Sequence, residues 1–253
     1  MKKLNRRSFL QTAAVGSIAS LSLGQILSAC TSMVSSPKIK LKQGQPILFQ
    51  GDSITDAVRH RDNMHVNNSH ALGTGYAFLT AAALLNTHAQ KLLKIYNRGI
   101  GGNKVYQLID RWQADCIDIK PDVLSILIGV NDYWHTKLSN YSGTVDVYEN
   151  DYRKLLTTTK QQLPDTTLII CEPFAINGTS AVNDNWFPEF DKYRAAAKKI
   201  ADEFNAVFIP FQSIFNEAQK HAPNVYWSED GIHPGIAGAQ LMAEAWQSVI
   251  EKE

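Results

Sequence analysis

Four short clusters in this chain combine residue types that can move an acyl group. Gly51-Asp52-Ser53 supplies a hydroxyl, and Asp230-Gly231-Ile232-His233 supplies an imidazole with a carboxylate three residues before it. Gly129-Val130-Asn131-Asp132 supplies a carboxamide, and Gly99-Ile100-Gly101-Gly102-Asn103 supplies backbone that can approach a ligand closely. A serine hydroxyl is a poor nucleophile at its own pKa and needs a base within hydrogen-bond reach, a role open to His233. A turn would bring Asp230 to the other ring nitrogen, where it fixes the tautomer and stabilises the imidazolium. The tetrahedral intermediate of acyl transfer carries an oxyanion that needs preset donors, and a carboxamide donates without adding a titrating charge.

These clusters need a frame that gathers them. From Pro46 onward, short apolar runs alternate with longer amphipathic stretches, the pattern of βαβ units around a parallel sheet. The strand candidates are Ile47–Gln50, Leu93–Tyr96, Val123–Ile128, Thr167–Cys171 and Ala206–Pro210. Helices are predicted over Gly75–His88, Val105–Ile119, Val147–Leu163, Phe187–Phe204 and Pro234–Lys252. The expected fold class is α/β, a three-layer α/β/α sandwich with a five-stranded, doubly wound parallel sheet. Three of the clusters directly follow a predicted strand and the fourth precedes the last helix, so all fall at the edge where open parallel sheets bind ligands.

The ordered set resembles the SGNH, or GDSL-type, hydrolase superfamily. Its blocks are a Gly-Asp-Ser, a glycine in the second block, a Gly-x-Asn-Asp and an Asp-x-x-His, and they occur here in that order between Pro46 and the C-terminus. The resemblance implies a flavodoxin-like SGNH hydrolase fold and a serine esterase with Ser53, His233 and Asp230 as its triad. It assigns the oxyanion donors to the Ser53 and Gly102 backbone N–H groups and the Asn131 side chain. The second block often reads Ser-Gly-Asp in the family, which makes Gly102, rather than Gly101, the matching glycine. Asp52 and Asp132 read as structural hydrogen-bond partners.

Other chemistries fit less well. No Gly-x-Ser-x-Gly elbow occurs, and Lys104 stands where a dinucleotide fingerprint needs its third glycine, so no cofactor is expected. Asp52, Asp132, Asp230 and His233 could be recast as ligands of a metal phosphoesterase. A serine beside Asp52 and a carboxamide at Asn131 favour acyl transfer, and no metal site is expected. A non-catalytic glycan-binding protein on the same fold would not need the nucleophile and base. Tyr133, Trp134 and Trp186 are candidates for a sugar-stacking rim, and His135 draws notice because it follows Asn131. The segment 59–73, rich in His and Asn, is a candidate specificity loop. Short acyl esters, foremost O-acetyl groups on carbohydrate, are the expected substrates; a lipase, lysophospholipase or thioesterase is the alternative on the same machinery.

Of 253 residues, 44% are hydrophobic and 19% charged, which excludes a disordered or fibrous chain. The net charge of +1 averages two unlike pieces. Residues 1–29 hold Lys2, Lys3, Arg6 and Arg7 and no acid, followed by a mildly apolar run. Arg6-Arg7-Ser8-Phe9-Leu10 resembles a twin-arginine export signal, and Leu27-Ser28-Ala29-Cys30 resembles a lipobox, which makes Cys30 the expected lipidation site. Residues 30–45 then form a polar tether spanning ~20 Å, and 46–253 the hydrolase domain. Without residues 1–29 the charge is −3, from 21 basic and 24 acidic side chains. The expectation is an exported lipoprotein held to a bacterial envelope membrane, with an acylated small molecule or polysaccharide as partner and no nucleic acid. Cys116 and Cys171 read as buried free thiols.

Overall fold

A computed structural model describes residues 38–139 and 141–251. The signal segment, Cys30 and the first part of the expected tether lie outside the described residues.

The strands are β1 (Pro46–Gly51), β2 (Lys94–Asn97), β3 (Val123–Leu127), β4 (Thr167–Cys171) and β5 (Val207–Ile209), all parallel, in the order β2-β1-β3-β4-β5. This is the flavodoxin-like order, and its switch point lies between β1 and β3. Every residue of β3 is buried, as a sheet covered on both faces requires.

The helices in chain order are α1 (Ser53–Asp56), α2 (Ser69–Leu72), α3 (Tyr76–Thr87), α4 (Val105–Trp112), α5 (Val130–Leu138), α6 (Val145–Gln162), α7 (Glu189–Glu203), α8 (Phe211–Ala218), α9 (Asn224–Trp227) and α10 (Ile236–Gln247). α3 packs on α10, α4 on α6, and α6 on α7. Tyr76 of α3 and Trp246 of α10 both meet Phe49 of β1, with ring centroids 5.8 and 5.2 Å apart. The fully buried Trp246 indole donates to Ser125 of β3 at 2.9 Å. On α4, the Trp112 indole donates to Thr159 of α6, also at 2.9 Å.

The five long predicted helices are present with ends moved by a few residues. The one expected to reach Ile119 widens into a π turn over Gln113–Ile117. α1, α2, α5, α8 and α9 are additional. The expected tether also ends early: Ile39 and Leu41 are buried, and Ile39 pairs with Ile250 in a parallel bridge. Packing therefore includes residues ahead of Pro46, because Ile39 and Leu41, the two apolar side chains of the otherwise polar segment 38–45, find core surface to cover. Cys116 and Cys171 are buried free thiols, and burial pushes both pKa values up. Among the described residues, no helix is long and apolar enough to cross a membrane.

Candidate active site

β1 ends in Gly51, and Asp52 caps the short α1 by accepting from the Ile54 N–H at 3.0 Å, which puts Ser53 at the first helical position. The Ser53 hydroxyl lies 2.7 Å from His233 Nε2, and His233 Nδ1 lies 2.6 Å from Asp230 Oδ2. The other Asp230 oxygen accepts from the Ile232 and His233 N–H groups at 2.8 and 2.7 Å, so the carboxylate closes its own turn, as short acidic side chains do. Gly231 must be glycine here. Its φ is +85°, and a Cβ would stand 2.2 Å from Thr179 Oγ1 and 2.5 Å from the Ile176 carbonyl. That close fit docks the histidine turn against the chain leaving β4.

Electrostatics follow from these bonds. Burial pushes the Asp230 carboxyl up, but the His233 ring, two backbone N–H donors and the His233 charge outweigh it and hold Asp230 well below the usual carboxylate range. The Asp230 hydrogen bond in turn raises His233, against an opposing push from burial.

The second cluster is tied to α1. The Asn97 side chain donates to the Thr55 and Leu72 carbonyls and accepts from the Gly99 N–H. Asp56 Oδ2 accepts from the Gly101 N–H at 2.9 Å, so of the two adjacent glycines Gly101 is committed to the fold. Gly102 follows with φ +80°, and a Cβ there would meet only His135 Cε1, at 3.9 Å. Across the switch point, α5 begins at Val130 and carries Asn131, which is buried and donates from Nδ2 to the Asn103 carbonyl at 3.3 Å. A carboxamide nitrogen has two N–H groups, so this bond leaves one for a ligand.

Asp52 and Asp132 are 0% and 1% exposed. Each uses one carboxyl oxygen, Asp52 on the Ile54 N–H and Asp132 on the Val105 N–H, and the other has no hydrogen-bond partner among the described residues. Burial pushes both up to about 7, with their mutual repulsion adding to the shift of Asp132. Among the described residues, no group of three or more His, Cys, Asp or Glu side chains is placed to hold a metal ion.

The aromatic rim is not where the sequence suggested. Tyr133 and Trp186 are buried, with Tyr133 packed against Trp186, Phe190 and Tyr193 at 5.1 to 5.6 Å, and Trp134 sits half-buried 6.1 Å from Trp186. The reason is α5. Once the chain turns helical at Val130, its first turn faces inward and carries Tyr133 into the interior between α5 and α7. His135, on the same helix, accepts at Nδ1 from the Lys104 ammonium, 3.0 Å away, and burial together with that charge lowers its pKa.

Tyr133, Trp134 and Trp186 are not among the residues lining the open cleft at Ser53. The cleft holds about 1040 Å³ and is lined by Ser53, His233, Gly101, Arg61, Val58 and Ile236 among others. Ala57 and Val58 both adopt left-handed backbone, at φ 42° and 54°, which folds the 59–73 segment back toward the site. No local sequence signal points to Arg61 and Asp56. Their ion pair spans five residues, but the Gly101 contact that gives it meaning spans 45.

Residues 49–241 match the model of the GDSL-like lipase/acylhydrolase family. An acetylxylan esterase from Geobacillus stearothermophilus is 34% identical over 212 residues, covering 82% of this chain and 94% of that protein. Its crystal structure superposes with a TM-score of 0.75 at 34% identity, covering 85% and 98% of the two chains. Alanine variants of one serine, one aspartate and one histidine of that esterase are described as catalytic mutants. A structure described as a GDSL-like lipase from Parabacteroides merdae superposes with a TM-score of 0.83 at 54% identity, covering 84% of this chain and 98% of that one. Fold, ordered motifs and these relatives agree, and the chain belongs to the GDSL-like lipase/acylhydrolase family of the SGNH hydrolases, as a carboxylic ester hydrolase.

Proposed function

We propose that this enzyme is a serine esterase that removes O-acetyl groups from carbohydrate, with Ser53, His233 and Asp230 as its triad. The observation that carries the reading is the continuous hydrogen-bonded chain from Ser53 Oγ through His233 to Asp230 at the edge of an open cleft. Ser53 Oγ attacks the ester carbonyl carbon while its proton passes to His233 Nε2. The tetrahedral oxyanion is met by the Ser53 and Gly102 N–H groups and the Asn131 carboxamide. His233 then protonates the departing alcohol oxygen, the C–O bond breaks, and an acyl-Ser53 ester remains. Water, deprotonated by His233, attacks this ester, and the acid and Ser53 are released.

Two observations support acetyl groups on carbohydrate: the acetylxylan esterase relative, and a cleft far larger than an acetyl group, with room for the alcohol side of a polymer. The twin-arginine and lipobox motifs support, as part of the same proposal, an enzyme held on the outer side of a cell membrane through lipidated Cys30. The test is kcat/KM across p-nitrophenyl esters from acetate to laurate beside acetate release from acetylated xylan. Acetate is expected to be preferred and xylan to be deacetylated. A rise toward laurate would sink the carbohydrate reading in favour of a lipase, for which the exposed Val58 and Ile236 at the cleft would be the matching feature.

Asn131→Ala is expected to lower kcat for p-nitrophenyl acetate about 10²- to 10³-fold with KM little changed, the cost of one preset oxyanion donor. Steady-state kinetics beside circular dichroism check this, and an unchanged kcat removes Asn131 from the oxyanion hole.

A further inference from the structure

The cleft beside Ser53 has a charge imbalance that ester hydrolysis alone does not require. Among the residues lining it, Arg59 and Arg61 are cationic and Asp56 is the one carboxylate. Asp56 is spoken for: its Oδ2 takes the Gly101 N–H and the Arg61 Nε and Nη2 donors. Behind this wall stand two more guanidinium groups, Arg98 and Arg111, of which Arg111 pairs with Asp115 at 2.7 Å. Four guanidinium groups thus face two carboxylates. Arg59 is only 5% exposed, donates from Nε to the Gly99 carbonyl, and its Nη1 has no hydrogen-bond partner among the described residues.

Arg61 is the member of the set that a ligand can touch. Its side chain is 51% exposed, yet the double contact to Asp56 fixes its guanidinium, and Nη2 lies 3.2 Å from where a Gly101 Cβ would stand. The same point is 3.7 Å from Ser53 Cβ. The head group is therefore held at the cleft wall next to the candidate nucleophile, with its bonds made by Nε and Nη2 and none by Nη1 among the described residues. A planar, weakly hydrated, pre-oriented guanidinium backed by surplus positive charge suits a carboxylate better than a hydroxyl.

We propose that Arg61 is a specificity residue that recognises a carboxylate on the alcohol part of the ester, so that the preferred substrates are acetylated glycans bearing uronate groups. This rests on the esterase reading above. Asp56 is the positioning residue, since it orients Arg61 and the turn before Gly102 through one oxygen.

The same chemistry could serve the product acetate, and the experiment separates the two sources. With the full folded chain, kcat/KM is measured on matched acetylated xylo-oligosaccharides with and without a uronate substituent, at low and high salt. Separately, unacetylated uronate-bearing xylo-oligosaccharide, its neutral counterpart and sodium acetate are titrated into Ser53→Ala protein. The expected result is a roughly tenfold to hundredfold preference for the uronate ester, the scale of a charge-assisted hydrogen bond, falling with salt. Arg61→Gln should bring the ratio near one and Arg61→Lys should retain part of it. The uronate ligand should bind Ser53→Ala more tightly than the neutral one. Equal kcat/KM for the matched esters in the wild type, or a ratio unchanged in Arg61→Gln, overturns the proposal. Equal affinity of the two oligosaccharides also overturns it, as does acetate binding that matches the uronate ligand. If Arg61→Gln fails to fold, the wild-type ratio and its salt dependence decide. Failure to hydrolyse either acetate would instead count against the esterase reading, since the binding arm needs no turnover.

Discussion

Replacing Ser53 by alanine is expected to lower kcat toward p-nitrophenyl acetate by about 10⁶-fold, the scale seen when a hydrolase triad loses its nucleophile. On the proposed triad, removing Oγ takes away the atom that forms the acyl-enzyme and leaves His233 with no proton to accept. What remains is the oxyanion donors and the cleft, which act on attack by water alone. The fold should be untouched, because the one bond lost is Ser53 to His233. The change is read from single-turnover and steady-state rates, with thermal melts run beside them. A variant within tenfold of the wild type would show that another group makes the bond to the acyl carbon.

Asp230→Asn has the second largest expected effect, about 10⁴-fold in kcat. Asp230 accepts from His233 Nδ1 and so keeps the proton there, leaving Nε2 as the base. An asparagine can turn its N–H toward Nδ1, which puts the ring proton on Nε2, facing Ser53, where it cannot act as base. The pH dependence adds a second readout. His233 must be neutral to accept the Ser53 proton, and its Asp230 partner raises its pKa, so kcat/KM should climb with pH through a value above that of free imidazole. In Asp230→Asn the inflection should fall. Stability carries the opposite sign: the His233–Asp230 pairing stabilises the fold fully below the unfolded histidine pKa and is lost as pH rises through the folded one. A pH-rate profile whose inflection does not move would show that Asp230 orients His233 without setting its charge.

Much of this site was legible because its residues are placed by local rules. Ser53 sits where β1 hands over to a helix capped by its neighbour, and the Asp230-to-His233 turn closes through bonds within four residues. The strands were legible because residues buried on both faces leave nearly unbroken apolar runs, as in Leu168 to Cys171. α5 was not. Its sequence, VNDYWHTKL, mixes polar and aromatic residues with no clean 3.6-residue stripe, and its first turn is buried through contacts with α6 and α7 that have no local signature. That missing signature is why Tyr133 and Trp186 resemble an exposed rim in the sequence.

The sequence by itself determined the candidate reacting groups, the parallel α/β frame and the edge of the sheet where they meet, because backbone turns and strand burial are encoded over a few residues. Only the tertiary structure decided the strand order, the docking of Ile39 and Leu41, the burial of the aromatic cluster and the placing of Arg61 by Asp56 and Gly101. Each of these depends on pairings between residues far apart in the chain. A sequence carries such pairings in the combined packing of all its elements rather than in any one segment.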